Sequence, residues 1–132
     1  MYNKDQLIGI LLCIPKPEIH ISRADNIGMG YRIRLRLNIR GAAAFLKGVA
    51  RSLEQHGIQS IYKDKEHNSR PRPILRVSGI VNLHLIAKLV DVDLPDAKDS
   101  WEDFREVIEI FDRGEHHTPE GLDRILTIKG VI

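Results

Sequence analysis

The stretch "YRIRLRLNI", Tyr31 to Ile39, alternates without a break. Side chains of a β-strand point to opposite faces with period two, so Ile33, Leu35, Leu37 and Ile39 share one side. Arg32, Arg34, Arg36 and Asn38 share the other. A slip of one residue would exchange the faces, which forces the chain to bury one and leave the other free. A merely solvated face could use Lys, Thr and Glu equally well. Arginine with asparagine is instead the donor set that suits phosphates, guanine edges and adenine edges.

The neighbouring segments extend this strand into a sheet. "EIHISR", Glu18 to Arg23, alternates in the same way, and the glycine-rich "DNIGMG" at 25–30 makes a hairpin of the two. Upstream, residues 4–14 read as an apolar helix that stops at Pro15 and Pro17, since proline lacks the amide donor. Downstream, "GAAAFLKGVARSLEQHG" has helical spacing at Phe45, Leu46, Val49, Ala50 and Leu53, with Gly57 as its stop. "IQSIYKD" and "RPILRVSG" then predict two more strands around "KEHNSRP", and "IVNLHLIAKLV" predicts a helix over 80–90. The linker "DVDLPDAKD" leads to "SWEDFREVIEIFDRG", with Ser100 expected as N-cap and Gly114 as stop. A last helix is expected from Thr118 and Pro119. The expected fold class is α+β: a four-stranded antiparallel sheet in an αββαββα order, helices on one face, and additional C-terminal helices. One domain over 1–132 is expected, with a core over 1–95 and the C-terminal helices over 96–132.

Parity assigns the free face of that sheet. The first strand gives it Glu18, His20 and Ser22, and the second Arg32, Arg34, Arg36 and Asn38. The third is expected to give Ser60, Tyr62 and Asp64, with Ile61 on the core side, and the fourth Arg72, Ile74, Arg76 and Ser78. Lys63, of opposite parity to Tyr62, and Lys65 are candidate phosphate contacts near the turn. Charge is divided in the same sense: residues 1–80 carry 14 basic and 6 acidic side chains, whereas 81–132 carry 6 and 12. That division suits one surface facing a polyanion. With only 5% aromatic residues, stacking on single strands is the weaker reading, and a ribbon entering the major groove of duplex DNA is the stronger.

Other classes fall away. The uncharged run from Gln6 to Pro15 is about half of the ~20 apolar residues that a membrane span needs. No signal-peptide pattern opens the chain, so a cytoplasmic or organellar-matrix protein is expected. The single Cys13 lies in the apolar run and reads as a small core residue. His116 and His117 read as a polar turn between helices rather than metal ligands, and Trp101 as a packing anchor.

The element order, opened by "LIGILLCIP" (Leu7 to Pro15) and continued by "RPILRVSG" and "FREVIEIFDRGEHHTPEGLDRIL", resembles the LAGLIDADG homing endonucleases. The resemblance covers nearly the whole chain. It implies that the first helix packs on the sheet and also against its counterpart in a second subunit, or in a second half of one chain. Leu7, Ile8, Gly9, Leu12 and Cys13 would then form a homodimer seam, with Gly9 and Cys13 small enough for close approach. The resemblance also implies a catalytic acid before the terminal glycine of the motif, where it would bind divalent cations. That position holds Ile14, and Pro15 stands at the glycine. Isoleucine offers no oxygen to a hard cation, so no catalytic residue, metal or cofactor is expected. Three readings follow: a degenerate, homodimeric duplex-DNA-binding protein, a magnesium-dependent endonuclease with Glu18 as relocated acid, or an RNA-binding splicing cofactor.

Overall fold

The structure is a computed structural model, which describes residues 1–23, 30–90 and 99–130. Helix α1 spans Lys4–Cys13. Strands β1 (Lys16–Arg23) and β2 (Tyr31–Arg40) follow, then α2 (Ala43–Glu54), β3 (Ile61–Lys63), β4 (Ile74–Ser78) and α3 (Ile80–Leu89). Helices α4 (Asp99–Asp112) and α5 (Pro119–Lys129) complete the chain, joined by a 3-10 turn at Glu115–His117. The four strands form one antiparallel sheet in the order β1-β2-β4-β3. The α+β class and element order expected from the sequence are therefore present. The expected turn at 25–30 and the linker before α4 lie almost wholly outside the described residues.

Register follows hydrophobic parity. Ile19 pairs with Leu35, Leu37 with Val77, and Ile39 with Leu75. All six are buried, and α2, α3 and α4 pack on their side of the sheet. Pro17 sits inside β1, which is tolerated because β1 is an edge strand.

Helix α1 begins with a reciprocal cap. The Asn3 side chain accepts from the Gln6 amide at 2.9 Å, and the Gln6 side chain accepts from the Asn3 amide at 3.0 Å. Its Leu7 and Leu11 are fully buried, each contributing about 1.5–3 kcal/mol. Gly9 and Cys13 are exposed. Cys13 is thus not the core residue that its apolar neighbourhood suggested, because the helix turns only one side to the core.

The C-terminal elements are tied by charge and by close packing. Arg124 of α5 clasps the Glu106 carboxylate of α4 with Nε and Nη2, and His84 of α3 meets Asp112 of α4. Trp101 and Phe104 are buried edge to face. Gly114 closes α4 in a left-handed conformation (φ 69°), as expected of a helix stop. Ser100 lies inside the first turn of α4, not ahead of it, since the helix already begins at Asp99. Thr118 caps α5 as expected, accepting from the Gly121 amide at 3.1 Å. His116 and His117 occupy the turn between the two helices, and burial lowers the His116 pKa, with His117 beside it adding to the shift.

Gly121 marks the tightest approach. A Cβ there would lie 1.9 Å from the Glu115 carbonyl oxygen, a backbone atom with little room to move. Gly121→Ala is expected to lower the urea midpoint by about 1–3 kcal/mol of stability at unchanged slope. An unaltered midpoint would show that the α4–α5 junction adjusts freely.

Candidate nucleic-acid interface

The face of the sheet opposite the helices is built of rows, because residues directly paired across antiparallel strands point the same way. Arg32 lies beside Ser22, Arg34 beside His20, and Arg36 between Glu18 and Ser78. The next row joins Asn38, Arg76 and Ile61, and the last joins Arg40, Ile74 and Lys63. Arg32, Arg34 and His20 are exposed, while Arg36, Ser22 and Glu18 are half-buried. Among the described residues neither Arg32 nor Arg34 has a hydrogen bond or ion pair, so both guanidinium groups stand ready for an anionic partner.

The centre of the face is held by a chain of hydrogen bonds across three strands. Arg76 Nε donates to Asn38 Oδ1 at 2.9 Å, and Asn38 Nδ2 donates to Glu18 Oε2 at 2.9 Å. Asn38 is only 4% exposed. The sequence reading made it a base-contacting donor; the structure makes it an internal link, since both ends of its amide already have protein partners. A buried amide without partners would cost about 1–3 kcal/mol, so Glu18 and Arg76 satisfy Asn38 as much as it orients them.

Parity failed at the third strand. Tyr62 pairs with Leu75, and its ring packs against the core with the Lys47 ammonium 5.2 Å from its centroid. Burial lifts the phenol pKa above its usual range, and Asp64 adds to that. Tyr62 is therefore on the helix side, and Ile61, expected in the core, is 57% exposed on the arginine side. Ser60 and Asp64 fall outside β3, which is three residues long, so neither joins the polar face as a strand residue. Lys63, by contrast, is on that face. The apolar core position nearby is Ile58, fully buried in the segment before the strand.

Arg72 precedes β4 and lines a second cleft with Arg40, Glu66 and Arg70. Sequence reasoning passed over Arg40. Its Nε and Nη2 donate to both Glu66 oxygens, at 2.7 and 2.9 Å. Ile74 opens β4 between Arg40 of β2 and Lys63 of β3, and it is 1% exposed although it faces the arginine side.

At the end of α1, Ile14 presents a 47% exposed hydrocarbon side chain. Glu18, the only substitute that the sequence offered, is engaged with Asn38. Among the described residues no group of three His, Cys, Asp or Glu side chains could hold a metal ion. Ile14 has no oxygen to offer at the position where the resemblance implied a cation ligand, so that position does not fit a divalent cation. Nor, among the described residues, is any helix long and apolar enough to cross a membrane.

No family model and no curated protein matches the chain. Solved structures do. The homing endonuclease I-TnaI matches with a TM-score of 0.77 and 23% identity, over 96% of this chain and 85% of that one. The LAGLIDADG homing endonuclease I-LtrWI, bound to target DNA, matches with 0.81 and 18%, over 99% of this chain and 44% of that one. The LAGLIDADG meganuclease I-CpaMI, bound to uncleaved DNA, matches with 0.77 and 19%, over 98% and 45%. The chain thus has the fold of the LAGLIDADG homing endonucleases, and it spans less than half the length of the last two.

The Arg40–Glu66 bridge gives a pH signature. Hydrogen bonding to Arg40 lowers the Glu66 pKa below the usual 4.5, so its stabilisation is complete above that value and is lost as pH falls through the lower folded-state value. Arg40 is half exposed to solvent, which limits the effect to about 1 kcal/mol or less. Glu66→Gln is expected to be slightly less stable than the parent at pH 7, with the difference vanishing at acid pH. A difference that grows on acidification would contradict this.

Proposed function

We propose that the protein binds duplex DNA sequence-specifically through the arginine face of its sheet, as a homodimer without phosphodiester-cleaving activity. One observation carries this reading. Arg32, Arg34 and Arg36 emerge together on the face that no described helix covers, while the alternate residues of the same strand fill the core. Duplex DNA offers that face both phosphates and guanine edges. The neighbours I-LtrWI and I-CpaMI are bound to DNA in their structures, which supports the same partner here.

Dimerisation is supported by the outer side of α1. A Cβ on Gly9 would meet nothing within 4 Å, and Cys13 beside it is exposed. Ile8 and Leu12 are half-buried, and Ile14 is exposed at the helix end. An apolar helix face of this kind suits a second helix packed closely along it. Loss of cleavage is supported by Ile14, which has no oxygen donor, and by the commitment of Glu18 to Asn38.

The test is a salt series on a duplex that the protein selects from a random-sequence pool, comparing Arg32→Ala, Arg34→Ala and Arg36→Ala with the parent. An arginine that reads guanine costs ~1–3 kcal/mol on the selected duplex and relaxes preference at one position. An arginine that neutralises a phosphate weakens binding to all sequences and makes the salt slope shallower by about one unit. Parent-like binding by all three variants at every salt concentration would refute the reading. Magnesium-dependent cutting of the duplex that Glu18→Gln abolishes would establish the endonuclease instead.

For the dimer, Gly9→Leu is expected to shift sedimentation from two chains to one, since overpacking costs ~1–3 kcal/mol at each helix of the seam. A parent that sediments as a monomer at micromolar concentration would rule the dimer out.

A further inference from the structure

Among the described residues of the arginine face, Ile61 is the large apolar side chain that stands exposed. Single exposed apolar residues are ordinary on protein surfaces, but the placement of this one is not neutral. It stands directly opposite Arg76 in the register, and it lines a cleft of about 440 Å³ whose mouth carries Arg34, Arg36 and Arg76 and whose other lining includes Leu35, Ile80, Leu83 and Phe111. Arg76 is in turn fixed through Nε by Asn38, which leaves its two Nη groups to act outward. The row therefore ends in a held guanidinium with a branched hydrocarbon beside it.

From this pair we infer that Ile61 is a specificity-determining residue that reads the C5-methyl group of a thymine next to the base contacted by Arg76. The inference rests on the DNA-binding reading above and deepens it. The major groove displays donors and acceptors at every base pair, and its apolar feature is the thymine methyl. An apolar group carried to the base edges among arginines thus has one complementary target. Paired Cβ atoms lie ~4.5–5.5 Å apart, and successive nucleotides of one strand rise 3.4 Å, so the two side chains reach neighbouring base steps. A guanine read by Arg76 with a thymine one or two steps away is the expected element of each half-site.

The experiment uses the full chain and the duplex that it selects from a random pool. Each thymine is replaced in turn by uracil, which removes the methyl and leaves the pairing edge intact. One thymine per half-site should weaken binding about fourfold when replaced, the factor that burial of one methyl group gives. Ile61→Ala should bind the thymine and uracil duplexes equally, Ile61→Val should keep the discrimination, and Arg76→Ala should lose the guanine preference while keeping the thymine effect. If Ile61→Ala distinguishes thymine from uracil as the parent does, or if no position responds to uracil, the inference fails while DNA binding stands. Failure to select any duplex would overturn both.

Discussion

The fold depends on the parity of β2. Leu35, Leu37 and Ile39 are buried against α2, α3 and α4 because they alternate with Arg34, Arg36 and Asn38. A slip of one residue would turn the arginines into the core, and burying even one unpaired guanidinium would cost several kcal/mol. Hydrophobic burial on one face therefore sets the charge pattern on the other. Neighbouring strands inherit the setting through pairing: β1 brings His20 and Ser22 alongside Arg34 and Arg32, and β4 brings Ser78 and Arg76 alongside Arg36 and Asn38.

The polar face is not uniformly available. Among the described residues Arg32 and Arg34 carry guanidinium groups without a hydrogen bond or ion pair, whereas Arg76 is bonded to Asn38 and Asn38 to Glu18 of the neighbouring row. Such a chain ties three strands together and fixes the place of the Glu18 carboxylate in a basic field. In the last row Arg40 is likewise engaged, with both oxygens of Glu66. Rigid elements of this kind hold recognition side chains better than loops do.

Much of this was legible because long alternation and glycine stops are strong local signals. The strand over Tyr31–Ile39, the helix stop at Gly114 and the Thr118 cap appear where the sequence puts them, and α2 ends at Glu54, three residues ahead of Gly57. The third strand is present where expected, but its facing was not legible, because three residues give no alternation to count. Ile58 and Ile61 look alike in sequence, yet Ile58 is buried before the strand and Ile61 faces out on it. Tyr62 can bury its ring and still carry a polar tip, so its hydroxyl misled the parity argument. Asn38 looked like a free donor because a sequence shows side-chain chemistry but not which partners the register brings within reach.

The most direct test of the account is to follow the arginine Nε–H signals by NMR while adding the selected duplex. Signals of Arg32, Arg34, Arg36 and Arg76 are expected to move while those of Arg113, in the turn after α4, and Arg124, on α5, stay in place. Movement confined to Arg113 and Arg124, with the β2 signals unchanged, would contradict it.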